Sequence, residues 1–586
     1  MTLYQGPQSW AHPVSTQAAR WSWTRTALAA ALLVAAVEVL FLFAGNERLR
    51  HGILLDPDCY MHLQRALRLM TGAWQQDGFD PRVNAPFGFA IHWTSLFDAL
   101  LAAGAWPLTW AGLDAHAALL IWGSLISPLL LMLALAVFAA GARPYVRGPA
   151  FLWLTILLFT QPELSGAFLA GRADHHSLML GLLLAQLAWV YAALDGRTGR
   201  AALALAALAG VGGAIQLCTT IEGLLTILLV SLVLGIAWAT LKQDVLKQLA
   251  AYWAGCLAAT SAFLAGTRAS DLFQPAYDRV SIAHATVLAI GLAAILLAQF
   301  LGRDKPRLAA LAAAAMLAIL AVCASYPDFF LGPWPHVAPS IKALHSEIGE
   351  LRPLLPDSWF HLCEFLGQFA AVVMAVPFAI HRLRRGEAGE RGVMLVALVG
   401  IGLFGGLALM QMRWSGEAQA VILLPWTMAT RRIMESRWAL SLFGRKMPLR
   451  SPLLMAALLL QIAPSIFTPA EAGRMRQAAD GCDWNKAALA LGQMPWQQGI
   501  VMTELWSGPE ILWRTGFDVV GAPYEIEPAI TDTYRFEKGG PGARDVLMRR
   551  HIAYVLRCGP AADAAALGLK PAAFSAPGFF LYRVLP

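Results

Sequence analysis

The feature that most constrains this chain is its succession of long apolar segments. A helix needs roughly 17–25 predominantly apolar residues to cross a bilayer, and thirteen windows approach or reach that length. They run approximately over residues 26–46, 119–141, 149–163, 177–194, 201–220, 222–241, 248–266, 285–301, 307–325, 358–380, 392–410, 416–430 and 452–468. We therefore predict an α-helical polytopic membrane protein with about thirteen transmembrane helices.

The composition supports this class and excludes a soluble multidomain protein. Hydrophobic residues make up 58% of the 586 residues and charged residues only 14%, whereas soluble proteins carry roughly 25% charged residues. A chain this apolar has too little polar surface to cover itself in water. The net charge of +7 would suggest a nucleic-acid partner in a soluble protein, so the positions of the basic residues matter.

The basic residues alternate between loops, which predicts an orientation. If Arg20 and Arg25 lie inside, the basic loops that follow, up to the one at 431–450, fall on the same side. Positively charged loops mark the cytoplasmic face of a membrane protein. The charge is therefore explained by topology, and no nucleic-acid partner is expected. The segments 47–118, 164–176, 267–284, 326–357 and 469–586 fall on the other, extracytoplasmic face of a cell (inner) membrane.

The tail has a different character from the rest of the chain. From Ala470 onward it has the charge density of a soluble domain. We predict a transmembrane domain over 1–468 and a small extracytoplasmic α/β domain over 469–586. Within the tail, we predict helices near 484–491 and 543–550 and strands near 499–503, 519–520, 553–556 and 579–584. Cys482 and Cys558 both lie there and either form a disulfide or remain free thiols.

The first extracytoplasmic loop opens with two carboxylates, Asp56 and Asp58, followed by His62. Acidic residues two apart beside a membrane span can hold a divalent cation through their oxygens. Either of them can instead cap a helix by accepting hydrogen bonds from free backbone N–H groups. Both interpretations stay open for this pair.

A second cluster, Asp174-His175-His176, lies between two predicted spans on the same side. A carboxylate with neighbouring imidazoles suits a hard or borderline metal such as Mg²⁺ or Mn²⁺. Because Asp174 directly precedes a helical segment, it is also a candidate helix cap.

Two further features lie on the predicted extracytoplasmic side. Glu347 and Glu350 are three residues apart and are expected to share a helical face, either in a site or as solvated loop charges. Arg413 lies at the end of a span, where it can snorkel to the membrane surface or hold a phosphate with its guanidinium fork. Together with the acidic clusters, this indicates chemistry on a lipid-linked phosphate.

These residues resemble, in order along the chain, the motifs of the catalytic subunit of oligosaccharyltransferase within the GT-C class of membrane glycosyltransferases, most closely the archaeal form. The stretch 58–63 resembles the first-loop D-x-Y-x-H-L, and 174–176 resembles the second metal motif. The stretch 350–353 resembles the Glu motif of a large flexible loop, and Arg413 matches the arginine that contacts the donor pyrophosphate. Thirteen spans followed by an external domain also match that family's layout.

The resemblance implies a role for each residue. Asp58, Asp174 and His176 would be ligands of Mn²⁺ or Mg²⁺, and Asp58 would also contact the acceptor. Glu350 would complete the catalytic site, and Arg413 would bind the donor phosphates. Further candidates, on weaker grounds, are Asp56, His62, His175, Glu347 and Trp506.

The sequence departs from the family at the acceptor-binding motif WWDYG. The corresponding stretch is Glu504-Leu505-Trp506-Ser507-Gly508, in which Trp506 replaces the aspartate. An indole can stack or donate one hydrogen bond but cannot accept one from a Ser or Thr hydroxyl as a carboxylate can. The acceptor is therefore either a peptide recognised by other residues or not a peptide. Alternatively, Trp506 only packs the tail against the membrane domain.

The sequence as a whole predicts a metal-dependent enzyme. It would transfer a glycan from a polyprenyl-(di)phosphate donor to an extracytoplasmic acceptor, with protein as the first candidate. The alternatives are a GT-C glycosyltransferase acting on a lipid or polysaccharide, and a transporter of lipid-linked glycans. Transporters bind substrate near the bilayer midplane, whereas these candidate residues lie at the ends of spans, which favours an enzyme.

Overall fold

The computed structural model describes most of the chain. The described residues are 3–4, 21–44, 47–75, 78–241, 244–268, 271–303, 305–333, 338–435, 439–442, 445–448, 451–462, 482–496 and 498–585. The predicted boundary near residue 468 lies outside them, so the division into domains stays a prediction.

Helices dominate the described residues. In chain order they are α1 (Trp23–Ala44), α2 (Glu47–Arg50), α3 (Pro57–Met70), α4 (Leu96–Trp110), α5 (Ala115–Ala142), α6 (Pro149–Phe159), α7 (Pro162–Gly166), α8 (His175–Leu194), α9 (Arg200–Thr219), α10 (Gly223–Thr240), α11 (Leu246–Thr267), α12 (Ile282–Leu301), α13 (Arg307–Ser325), α14 (Pro339–Glu347), α15 (Trp359–Arg385), α16 (Ala388–Gly400), α17 (Gly406–Met410), α18 (Ser415–Glu435), α19 (Ser451–Ile462), α20 (Trp484–Gly492), α21 (Gly508–Arg514), α22 (Glu527–Glu537) and α23 (Pro541–Arg549).

Ten helical segments among the described residues are long and apolar enough to cross a membrane: α1, α5, α8 to α13, α15 and the continuous segment Ala388–Met410. That last segment joins α16 to α17 through the π-helical turn Ile401–Gly405. Each of the thirteen predicted windows overlaps a helix, although residues 45–46 and 463–468 of two windows lie outside the described residues. However, α6 and α19 are short, and α18 carries charges at both ends. The multi-pass membrane fold is confirmed, and the count of thirteen stays a prediction.

Small residues bring two of the spans close together. A Cβ atom added to Gly210 of α9 would lie 2.0 Å from the backbone oxygen of Tyr252 in α11, and one added to Gly255 would lie 2.2 Å from that of Ala207. Lipid tails are as apolar as the side chains, so close van der Waals packing of this kind is a main source of helix association in membranes.

The tail forms a mixed sheet beside the helices. The strands of the described chain are β1 (Leu3–Tyr4), β2 (Phe79–Asp80), β3 (Phe89–Ala90), β4 (Ala439–Leu442), β5 (Arg445–Pro448), β6 (Ile500–Met502), β7 (Asp518–Val519), β8 (Ile552–Cys558), β9 (Leu569–Ala572) and β10 (Phe579–Val584). The tail sheet has the order β7-β6-β8-β10-β9, with β6 parallel to β7 and β8. A disulfide joins Cys482 to Cys558, with their Cα atoms 6.0 Å apart.

The segment between the first two long apolar helices, α1 and α5, is called the first loop, and it packs into the tail. Val83, Ala85 and Trp93 are buried in the same apolar core as the tail strands. The fully buried Arg550 donates to the backbone oxygen of Ala85 at 2.9 Å. The backbone of the loop also pairs with β7, because the Val519 amide donates to the Arg82 carbonyl at 2.9 Å and the Ala85 amide donates to the Val519 carbonyl at 3.0 Å. This docking brings the tail to the residues that follow α1.

Candidate active site

Asp56 and Asp174 cap helices whose first turns lie side by side. Asp56 accepts the Cys59 amide at the start of α3, at 3.0 Å. Asp174 accepts the His176 amide at the start of α8, at 3.4 Å. The Leu55 amide donates to the carbonyl of Gly171 at 3.3 Å, which ties the two segments together. The capping interpretation is therefore correct for both residues, and the caps place the carboxylates in one region.

Arg172 bridges the two caps. Its Nη2 atom lies 3.3 Å from Asp174 Oδ2 and 3.7 Å from Asp56 Oδ2. Burial by itself lowers the pKa of Arg172, but the two carboxylates outweigh that effect and raise the pKa above its usual value. A permanent positive charge is thus fixed between the acidic residues.

The carboxylate of Asp58 has an unfavourable electrostatic environment. Burial, and then the charges of Asp56, Asp174 and Glu350, raise its pKa well above the usual range. For Asp174, burial also acts to raise the pKa, but the adjacent histidines and Arg172 lower it well below the usual range. Asp58 therefore lacks the compensating positive charge that Asp174 has.

A chain of buried hydrogen bonds leads to the Asp174 carboxylate. His62 donates through Nδ1 to Asp98 Oδ1 at 2.6 Å, and its Nε2 lies 3.0 Å from His175 Nδ1. Asp98 is also held by Arg65, at 2.7 Å. His175 Nδ1 in turn lies 2.9 Å from Asp174 Oδ1. The chain fixes Asp174 from the interior of the protein.

Glu350 approaches the same region from the loop between α14 and α15. It lies in the short 3-10 helix Gly349–Leu351. Burial acts to raise its pKa, but the charges of Arg413 and His176 bring the pKa below its usual value. The backbone of this segment meets the Arg413 turn directly, because the Met412 amide donates to the Arg352 carbonyl at 2.7 Å. Glu350 and Arg413 therefore lie in the same region as the candidate metal ligands Asp174 and His176.

Arg413 has a carboxylate partner that the sequence did not suggest. Its Nη2 atom lies 2.7 Å from Glu222 Oε1, in the link between α9 and α10. A ligand phosphate must therefore compete with Glu222 or bind another edge of the guanidinium group. The sequence offered one signal for Glu222: it is a lone carboxylate between two apolar spans, a position that is unfavourable for a charge and often functional.

The expectation that Glu347 and Glu350 share a helical face is wrong. Helix α14 ends at Glu347, and the chain turns before Gly349. Glu347 accepts the hydroxyl of Tyr534 in the tail at 3.0 Å. The two carboxylates therefore serve different neighbours, one facing the tail and one facing Asp174 and Arg413.

Trp506 packs among apolar side chains. It is half-buried in an apolar cluster between α14 and the tail, with Ile341, Leu344, Leu505 and Ile530 at the centre of that cluster. This position matches the packing interpretation of Trp506. Whether the residue also contacts an acceptor is a separate question.

The donor set fits a divalent cation. Asp58, Asp174 and His176 would offer two carboxylates and one imidazole, and a bound cation would supply the positive charge that Asp58 lacks. Among the described residues, the set whose ligand atoms lie within 4.8 Å of one another is a different one, formed by His62, Asp174 and His175. His62 is bonded through Nδ1 to a carboxylate, as metal-binding histidines usually are. Both sets share Asp174.

No protein-family model matches the sequence, and no curated protein gives a significant match. Solved structures do match, and they include the archaeal oligosaccharyltransferase, whose family the sequence resembles.

One match is the archaeal oligosaccharyltransferase AglB from Archaeoglobus fulgidus in complex with an inhibitory peptide and a dolichol-phosphate. It has a TM-score of 0.67 and 15% identity, covering 91% of this chain and 70% of that chain. The A. fulgidus enzyme tethered to an acceptor peptide with the NVT sequon has a TM-score of 0.66 and 13% identity, covering 94% and 74%. The complex with Zn and sulfate has a TM-score of 0.60 and 15% identity, covering 91% and 67%. At these identities the likeness establishes the fold.

Proposed function

We propose that this protein is a metal-dependent glycosyltransferase that transfers a glycan from a polyprenyl-phosphate or diphosphate donor to an acceptor outside the cytoplasmic membrane. The observation that carries the proposal is the convergence of Asp58, Asp174, His176, Glu350 and Arg413 from four separate links of the chain. The A. fulgidus enzyme with this fold has been solved with dolichol-phosphate, with an acceptor peptide, and with Zn and sulfate.

In this proposal, Asp58, Asp174 and His176 hold the divalent cation, with Glu350 beside them. The bound cation would neutralise charge on the leaving phosphate. Asp58 would also orient the acceptor nucleophile by accepting its hydrogen bond. Arg413 holds the donor phosphates through its guanidinium fork, and Glu222 keeps that fork oriented before the donor binds.

The acceptor is the open part of the proposal. The sequence lacks the WWDYG aspartate, and Trp506 packs between α14 and the tail. Protein remains the first candidate acceptor, and a lipid or polysaccharide is the second. Two acceptor peptides test the first candidate: one contains an N-x-Thr sequon, and in the other the Thr is replaced by Ala. Transfer to the sequon peptide alone would show that the enzyme recognises the Thr hydroxyl and accepts protein.

Disruption of the gene, followed by mass spectrometry of envelope glycoconjugates, tests the function in the cell. We expect one class of glycoprotein, glycolipid or polysaccharide to lose a glycan. The wild-type gene should restore it, and the Asp174→Asn gene should not. Asp114→Asn is a matched control, because Asp114 is an exposed cap of α5 that accepts the Ala117 amide at 3.0 Å. Unchanged glycans, or restoration by Asp174→Asn, would contradict the proposal.

The proposal also requires that the site lie on the extracytoplasmic face. Ser346 of α14 and Lys486 of α20 are both exposed and suit cysteine labelling after the exposed native Cys323 is replaced by Ser. We expect a membrane-impermeant maleimide to label Ser346→Cys and Lys486→Cys in intact cells or spheroplasts. Labelling only from the cytoplasmic side would contradict the proposed orientation.

A further inference from the structure

A ring of hydrogen bonds fixes the carboxylate of Glu163, on the short helix α7. Oε1 of Glu163 accepts the side-chain amide of Gln368, on α15, at 2.6 Å. Gln368 in turn accepts the side-chain amide of Gln419, on α18, at 2.8 Å. Gln419 closes the ring by accepting the backbone amide of Leu164 at 2.9 Å. The ring therefore holds Glu163 against two helices of the membrane domain.

The direction of these bonds leaves the second oxygen of Glu163 available. Gln419 is fully buried and Gln368 is 8% exposed, and each donates along the ring towards Glu163. In the part of the chain that the structure describes, Oε2 of Glu163 accepts no hydrogen bond. Because Glu163 is only half-buried and Oε2 is not enclosed by protein, this oxygen is accessible to a ligand.

Other glutamates of this region are paired with arginines. Glu222 lies 2.7 Å from Arg413. Glu364, on α15, lies 3.0 Å from Arg352. Glu163 has a neutral amide as its partner instead. Taking a carboxylate out of water without a cation is unfavourable, and ionisable residues retained within the helices of membrane proteins are often functional.

Glu163 lies beside the turn that carries Arg413. A Cβ atom placed on Gly416 would lie 3.8 Å from the Cβ atom of Glu163. Gly416 follows Arg413 by about one helical turn, or about 5 Å. The hydroxyl of Ser415 closes this turn by donating to the Met412 carbonyl at 2.7 Å. A donor whose phosphate binds Arg413 would therefore bring the group attached to that phosphate close to Glu163.

We propose that Glu163 is a specificity-determining residue that accepts a hydrogen bond from a hydroxyl group of the sugar next to the donor phosphate. A carboxylate only accepts hydrogen bonds, it repels a phosphate of like charge, and a polyprenyl chain offers it no donor. The sugar hydroxyls are the part of the donor that suits it. The inference rests on the proposed function, because that function places the donor phosphate at Arg413.

The test is the binding of two probes to the purified full-length protein in detergent, measured by native mass spectrometry without an acceptor. One probe is the polyprenyl-linked glycan extracted from membranes of the source cells, and the other is undecaprenyl phosphate, which has no sugar. Glu163→Gln keeps an oxygen for the Gln368 amide but replaces the accessible oxygen by an amide nitrogen. We expect its affinity for the glycan-linked lipid to fall about tenfold, as for the loss of a hydrogen bond to a charged group. Its affinity for undecaprenyl phosphate should stay at the wild-type value.

Two further variants complete the test. Glu163→Asp keeps the charge but withdraws the carboxylate by one methylene group, and it should also bind the glycan-linked lipid more weakly. Glu390→Gln is the matched control, because Glu390 is a half-buried carboxylate of α16 that is paired with Arg382, outside the ring. It should bind both probes like the wild type.

The two probes separate a sugar contact from a structural role. If both Glu163 variants bind the glycan-linked lipid like the wild type, or lose affinity for both probes equally, this inference alone is overturned. If the wild type binds neither probe, the donor class of the proposed function is overturned as well.

Discussion

The two halves of the site are held in place by different means. Asp174, at the start of α8, is connected through His175 to three buried side chains that are bonded to one another and at most 2% exposed: His62, Asp98 and Arg65. Glu350, by contrast, follows the short helix α14. That helix contacts the tail through a small apolar cluster and the Glu347–Tyr534 hydrogen bond.

The two halves of the site should therefore lose different amounts of stability when one of their residues is substituted. Buried charged networks lose several kcal/mol when one partner is removed, because the remaining charge is left unpaired. Contacts at a half-exposed surface contribute far less. We infer that the α3–α8 half is a rigid platform and that the Glu350 half depends on how the tail is docked. The predictions below test this contrast in order of decreasing effect.

Asp174→Asn should have the largest effect. It keeps the size of the side chain and its capping oxygen but removes the charge proposed to hold the cation. We expect the rate of glycan transfer to fall about 1,000-fold, which corresponds to roughly 4 kcal/mol of transition-state stabilisation. Transfer by the purified variant should be compared with that of Asp114→Asn. Equal rates for the two variants would remove Asp174 from the chemistry.

Asp98→Asn tests the platform itself. The change leaves the buried Arg65 without its charged partner and weakens the bond to His62. We expect a loss of about 3–5 kcal/mol in the free energy of unfolding, seen as a lower midpoint of thermal unfolding followed by tryptophan fluorescence in detergent. The surface pair Asp483–Lys486 is the control, because both of its side chains are well exposed. An Asp98→Asn midpoint as high as that of Asp483→Asn would show that the platform is not held by this network.

Removal of the disulfide tests how the other half depends on the tail. Replacing both Cys482 and Cys558 by Ser should destabilise the tail by about 2–4 kcal/mol, because the bond closes a long loop. We expect limited proteolysis to cut the tail at a lower temperature while the membrane helices stay resistant. Simultaneous cleavage of the tail and the membrane helices would show that the two regions unfold as one unit.

Glu347→Gln should have the smallest effect. The amide oxygen can still accept the Tyr534 hydroxyl, and the hydrogen bond joins partly exposed groups, so we expect less than about 1 kcal/mol in stability and less than about a fivefold change in KM. A larger change, measured against wild type in the same transfer assay, would assign Glu347 to the chemistry together with Glu350.

The membrane fold could be predicted from the sequence because hydropathy acts locally. Each apolar window overlaps a helix of the described residues, and the strand over 579–584 has the predicted bounds. Helix α22 was missed because the stretch 527–537 is polar, although Pro528 at its first turn is a favourable start signal. The end of α14 was missed although a glycine follows at position 349, a common signal for a helix terminus.

Without the family resemblance, the candidate site was most visible where its residues lie next to one another. Asp174, His175 and His176 form a visible cluster, and the caps followed from their place before a helix. Glu222 meets Arg413, and Asp98 meets His62, only because of the way the helices pack. A contact between distant segments leaves no pattern in a single sequence, so these partners could be found only from the structure.

The most direct test of the central claim is turnover in detergent micelles, which have no two sides and so allow no transport. Purified protein is mixed with its native polyprenyl-linked glycan and an acceptor, with EDTA and then with added Mn²⁺ or Mg²⁺. We predict that the glycan is transferred from the lipid phosphate to the acceptor only after the cation is added. No cleavage of the donor with any divalent cation, or equal cleavage in EDTA, would contradict the account.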